Sequence, residues 1–254
     1  MKYSILTFNF NNYEIFRDPK EVDPECEYIY VTDNPNYKSD IWNIVVDEKL
    51  KGKNPIYQSY YVRYHSQEYC HTDTIFILDS SFIIKKSLRD IYERFTQSKC
   101  EICLSCNIYC PTPEKDIEFW KTHRALDEFD CNRLYFLCLA YLPPVGKNKW
   151  YKGNFESGFQ IIHNTKSVRR FHRQIWITAL WLGKDEIPLR LDEVVMACVF
   201  YKYFRTMKVM PVCRQIIQSK YLCYCFHNTN APKVKALRLG QCFFLNKSIR
   251  PVMM

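Results

Sequence analysis

The residues most able to do chemistry stand at one junction. Thr74-Ile75-Phe76-Ile77-Leu78 is an unbroken apolar run, as a strand covered on both faces requires, and it stops at Asp79-Ser80-Ser81. In an open α/β sheet, ligands bind outside the carboxyl ends of the strands, so a carboxylate ending such a strand is set at the binding crevice. A divalent ion held by that carboxylate could bridge diphosphate oxygens as a Lewis acid. Ser81, two residues on, points the same way and offers a neutral oxygen. The competing reading is a plain turn, since Asp and Ser both favour turns.

A second constellation is Cys100-x-x-Cys103-x-x-Cys106-x-x-x-Cys110-Pro111, which has the spacing of thiolate ligands to an iron–sulfur cluster, with a zinc site as a variant. No second such run exists to share ligands. The alternation Glu101-Ile102-Cys103-Leu104-Ser105-Cys106 reads as a strand, which sends Cys103 and Cys106 to opposite faces where a cluster needs convergence.

The elements that position these groups follow from periodicity. Lys2–Phe8, Glu27–Val31, Trp42–Val46, Thr74–Leu78, Cys100–Asn107 and Phe159–His163 are predicted strands. Helices are predicted from Pro55 to about Cys70, from Ser87 (as cap) to Phe95, over Asp116–Tyr141, Val168–Leu182 and Asp192–Phe204. This alternation is that of a layered α/β architecture. We find no internal repeat and no low-complexity linker.

With 254 residues, 47% of them hydrophobic, the chain can bury a substantial core, and its length suits one large α/β domain. No segment approaches the ~20 apolar residues that span a bilayer, and the N-terminus lacks the pattern of a cleaved signal. The 13 cysteines are odd in number and scattered, which points to a reducing compartment and a cytoplasmic location. A formal charge of +9 points to a partner carrying negative charge. It does not choose among nucleotide diphosphates, anionic membranes and nucleic acid.

Asn54-Pro55-Ile56-Tyr57, Arg63-Tyr64-His65 and Thr74 to Ile84 resemble, in order, the helix, strand and Asp-x-Asp metal motif of GT-A glycosyltransferases. The similarity runs from about residue 1 to 230. It is greatest to the plant and bacterial mucilage-pectin-type glycosyltransferase-like domains, and more distant to glycogenin-like enzymes. It implies a single GT-A (Rossmann-like) α/β domain over residues 1–230, with a mixed central sheet flanked by helices, and a basic tail over 231–254. It also implies transfer of a sugar from a nucleotide-diphosphate donor to a glycan or lipid-linked acceptor, assisted by Mn2+ or Mg2+ at Asp79. Ser81 stands where many such enzymes carry a second acid.

On that resemblance, Thr7, Asn9, Asp33, Arg63, Asp79 and Ser81 would bind the donor. Asp79, Ser81 and the late His227 would hold the metal. Asp192, Glu193 and His123 would be catalytic, with Glu193 replacing the amide usual after the Asp. Arg124, Asn154 and Glu156 would meet the acceptor, and Trp150 and Tyr151 would stack on a sugar. A basic binding module for an acidic membrane or RNA is the remaining alternative, from the interleaved basic and aromatic residues at Tyr201-Lys202-Tyr203-Phe204-Arg205 and in the tail. Within it, peripheral membrane contact by the tail is favoured over nucleic acid.

Overall fold

The computed structural model describes residues 1–106, 110, 112–123, 126–142, 154–212 and 220–224. In chain order its elements are β1 (Tyr3–Asn9), β2 (Cys26–Thr32), β3 (Asn43–Val46), α1 (Pro55–Tyr64), β4 (Thr74–Asp79), β5 (Phe82–Ile84), α2 (Arg89–Ser98), β6 (Ile102–Cys106) and α3 (Pro113–Thr122). There follow α4 (Glu128–Tyr141), β7 (Phe155–His163), α5 (Lys166–Leu182), α6 (Asp192–Val199), β8 (Val209–Val212) and β9 (Leu222–Tyr224). Seven strands form one sheet in the order β3-β2-β1-β4-β7-β6-β8, while β5 and β9 pair separately. The first four in that order are mutually parallel, and β7 runs antiparallel to both β4 and β6. The predicted mixed α/β class is therefore observed.

Strand alternation sorts the core into two faces. In β1, Tyr3 and Ile5 join one apolar cluster and Leu6 and Phe8 the other, as a side-chain period of two dictates. The Leu6 face is covered by α1, α3, α4, α5 and α6, and the Tyr3 face by α2. In β4, Ile75 and Ile77 belong to the Leu6 face, and Phe76 and Leu78 to the other. Asp79 shares the parity of Ile75 and Ile77, so it ends the strand on the face covered by five helices.

Local chemistry explains several helix starts. Asn54 Oδ1 accepts from the Ile56 N–H at 2.9 Å and Pro55 takes the first position of α1, where a missing N–H costs nothing. Asp127 caps α4 by accepting from Asp130 at 2.8 Å, and this cap corrects the single helix predicted over 116–141. The chain forms α3 and α4 instead, because a good acceptor inside an apparently continuous apolar pattern starts a new helix.

The other boundaries shift for similar reasons. α1 stops at Tyr64 and a short 3-10 turn, Ser66–Glu68, follows in place of helix up to Cys70. Ser87 accepts from Arg89 N–H, but Leu88 occupies the cap position and α2 runs on to Ser98. α6 ends at Val199, and Phe200–Phe204 continues as a π-helical turn rather than α-helix.

The three thiols of the run whose side chains are described do not converge. Cys100 and Cys103 pack on the Tyr3 face of the sheet, whereas Cys110 shares a hydrogen bond with Asp116 of α3, on the opposite side. The Cys106 side chain lies outside the described residues. Separation across the sheet disfavours the iron–sulfur or zinc reading.

Candidate functional site

Three segments meet at the end of β4. Arg63, near the end of α1 and only 6% exposed, donates from Nη2 to Asp79 Oδ1 and from Nη1 to Asp192 Oδ2. The guanidinium also lies 5.3 Å from the centre of the Phe8 ring, a favourable cation–π approach. Burial opposes its charge, but Asp192 and then Asp79 outweigh that and hold its pKa well above the usual arginine range. A planar fork with fixed donors can span two carboxylates in this way; a lysine cannot.

Both oxygens of Asp192 are engaged. Besides Arg63, it accepts from Tyr64 OH at 2.6 Å and from Ser157 Oγ at 2.9 Å, and its backbone N–H donates to Tyr60 OH at 2.9 Å. The residue before it, Leu191, has φ 69°, a left-handed conformation for which a bulky side chain pays roughly 1–2 kcal/mol. That turn starts α6 with Asp192 and Glu193 in its first turn, where acids also favour the positive end of the helix dipole.

Ser157 reaches this point through an irregularity in β7. Against β6 the register jumps from Leu104↔Gln160 to Ser105↔Glu156, so Ser157, Gly158 and Phe159 are extra residues on the β7 side. Phe159 still pairs with Leu78 of β4, which leaves Ser157 and Gly158 beside Asp79. Ser157 Oγ lies 3.0 Å from Glu193 Oε1 as well as near Asp192. A Cβ on Gly158 would sit 2.5 Å from Asp79 Oδ2, so only glycine leaves the carboxylate its place. Gly158→Ala is expected to swing Asp79 off Arg63 and cost about 1–3 kcal/mol, read as a lower melting temperature. The same change made in an Asp79→Ala background should cost little; an equal cost in both backgrounds rules this contact out.

A pocket of acids continues from Glu193. Burial, then repulsion by Asp192 and Asp116, pushes the Glu193 carboxyl well above its ordinary range. Burial pushes Asp116 up to about 6, although it accepts from Asn154 Nδ2 and from Cys110. Glu156, also buried, accepts from Ser105 Oγ at 3.1 Å, and Asn154 Oδ1 is buried without a partner among the described residues. Because the folded-state pKa of Asp116 is raised, its contribution to stability is complete below pH ~4 and is lost as pH rises through about 6. Asp116→Asn should therefore melt higher than the unaltered chain at pH 7.5, with the gap closing by pH 4. A gap independent of pH excludes this assignment.

The other residues expected at the site divide clearly. Arg63, Asp79, Asp192 and Glu193 are brought together, and Asn154 and Glu156 line the acidic pocket beside them. Thr7 lies buried in β1 with its hydroxyl unpartnered among the described residues. Asn9 closes a loop onto Glu14, donating to its carbonyl at 2.7 Å and accepting from its N–H at 3.0 Å. Asp33 accepts the Asn11 N–H with both oxygens at 3.0 Å, on the same carboxyl edge of the sheet. Ser81 is buried. His123 is exposed at the end of α3, held to the Phe119 carbonyl, and seven residues of helix place it ~10 Å along the axis from Asp116. Arg124, Trp150, Tyr151 and His227 lie outside the described residues, as does the basic tail.

Sequence reasoning gave no individual role to Tyr60, Tyr64, Ser157, Gly158 or Asp116, although Tyr64 and the Ser157-Gly158 pair fall in stretches that carry the resemblance. The tyrosines carried a signal, since Tyr60 and Tyr64 flank Arg63 at helical spacing. Asp116 looked like an ordinary acid in a first helical turn.

One oxygen of Asp79 is taken by Arg63, and among the described residues no group of three His, Cys, Asp or Glu side chains could hold a metal ion.

No protein-family model matches this sequence, and no curated protein matches it. Among solved structures, the fold is similar to mouse xyloside xylosyltransferase 1 in its apo form, at 10% identity and TM-score 0.42, covering 87% of this chain and 91% of that one. It is also similar to the galactosyltransferase LgtC in complex with donor and acceptor sugar analogues, at 11% identity and TM-score 0.42, covering 82% and 73%. The apo bifunctional glycosyltransferase WbbM gives 10% identity and TM-score 0.46, covering 83% of this chain and 38% of that one.

Proposed function

We propose that this chain is a glycosyltransferase that moves a sugar from a nucleotide diphosphate to a glycan or lipid-linked acceptor. The observation that supports it most is the Arg63 bridge, which ties a strand-end carboxylate at the carboxyl edge of the sheet to the acidic pair opening α6. The crevice outside that edge is where an α/β sheet takes its ligand. In this reading residues 1–230 form one GT-A domain, and the Asn9–Glu14 and Asp33 loops face the nucleoside. Asp79 and Arg63 face the diphosphate. Asn154 and Glu156 meet the acceptor, and the protein works in the cytoplasm. Arg63 also positions the two aspartates, donating to one from Nη1 and to the other from Nη2.

A thermal-shift screen of uridine, guanosine and cytidine diphosphate sugars, with and without manganese, tests the proposal. A ligand selective for the native state stabilises it by about 2.7 kcal/mol at a hundred times its Kd. One base class should raise the melting temperature, and Asp79→Ala should reduce that rise. The manganese arm reports whether a divalent ion enters with the donor. Folded protein that responds to none of the panel would end the proposal.

A further inference from the structure

At the end of α6 remote from Asp192, the helical layer presents a surface that sugar transfer does not use. Twelve residues of helix from Asp192 to Phe204 set it ~18 Å along the axis from the candidate site. A cleft of about 580 Å3 opens there between α5 and the π-helical turn, lined by Arg170, Arg173, Ile177 and Tyr203. Tyr203 packs on Tyr141 of α4 at 5.6 Å between ring centres, and Lys202 Nζ reaches the Ala140 carbonyl at 3.5 Å. The surface therefore continues onto the end of α4, where Leu139 is 86% and Phe136 56% exposed.

Two properties of this face stand out physically. Arg170, Arg173 and Lys202 are in no salt bridge among the described residues, and Glu101 is the carboxylate lining the cleft. Leu139, Phe136, Tyr203 and Ile177 are large apolar or aromatic side chains left in water, Ile177 and Tyr203 on the cleft with Arg170 and Arg173. Nucleic acid or an acidic protein would reward the charges, but neither accounts for an aliphatic Leu139 standing almost fully free. An anionic bilayer rewards both, since lipid phosphates neutralise the cations while the apolar side chains enter the headgroup boundary.

We infer that this face, formed by the end of α4, the π-helical turn and α5, docks the protein on anionic phospholipid membranes. Arg170, Arg173 and Lys202 meet lipid phosphates, and Leu139, Phe136 and Tyr203 enter the interface. The inference is independent of the sugar-transfer reading and of the basic tail.

The full chain is sedimented with neutral phosphatidylcholine vesicles and with vesicles containing phosphatidylserine. It should bind the second and not the first. Replacing Arg170, Arg173 and Lys202 together by Gln should weaken binding about a hundredfold, at the usual contribution of a basic residue near an anionic surface. Leu139→Asp, at an exposed position where folding is unaffected, should weaken it further than the loss of one charge. Sugar-nucleotide thermal shifts should be unchanged in both variants. No binding to anionic vesicles overturns the inference, and so does undiminished binding by both variants, which assigns the contact to another surface. Loss in the charge variant without loss in Leu139→Asp also overturns it, pointing to a purely electrostatic partner such as nucleic acid.

Discussion

Arg63→Met should be the most destabilising single substitution at the candidate site. It removes the cation shared by Asp79 and Asp192 and leaves at least Asp192, which is buried, without its counter-charge. Removing one partner of a buried ion pair costs about 3–5 kcal/mol, because the surviving charge stays desolvated. For a chain of this length that is on the order of 10 °C in melting temperature. The methionine is close in volume, so the loss reports charge rather than packing. Arg63→Lys should recover only part of it, since a single ammonium cannot serve two carboxylates in fork geometry.

The companion experiment separates the interaction from the residue. Asp192→Asn alone weakens the acceptor of Arg63, Tyr64 and Ser157 and should also destabilise. Combined with Arg63→Met it should cost less than the two changes summed, because neither then strands a partner. Strict additivity, or an Arg63→Met protein that melts with the unaltered chain, would show that the bridge does not hold the site together.

The second large effect concerns Glu193. Under the proposed activity it is the carboxyl placed to take a proton from an acceptor hydroxyl, because both oxygens of Asp192 already accept hydrogen bonds. Removing a positioned base lowers rate by roughly 10²- to 10⁴-fold, and Glu193→Gln should show a loss of that size. Burial and its acidic neighbours hold the Glu193 proton well beyond the usual carboxylate range. The transfer rate of the unaltered chain should accordingly rise with pH through that raised value, and the Gln variant should be flat.

Stability should move the other way. A carboxyl whose folded pKa is raised contributes stability that is present at low pH and lost as pH climbs through that pKa. Glu193→Gln removes the loss, so the variant should melt higher than the unaltered chain at alkaline pH while transferring more slowly. A buried acid retained at a cost to stability is the usual mark of a working group. A Gln variant with unchanged rate and pH profile would place the base elsewhere.

Much of this architecture was legible in the residues themselves. Alternation in β1 and the unbroken run of β4 marked those strands and put Asp79 on one face with Ile75 and Ile77, because side-chain direction in a strand depends only on counting by two. Asn54-Pro55 marked the start of α1, because a cap and a first-turn proline act on neighbours within a single turn. What lay beyond the sequence was partner choice. Arg63 meets Asp192 across 129 residues, Ser157 arrives through three extra residues in β7, and Cys110 is parted from Cys103 by the thickness of the sheet. Those outcomes depend on how each helix rotates against the sheet and where one ladder slips. Such choices minimise the energy of the whole packed layer, and no short stretch of chain encodes them.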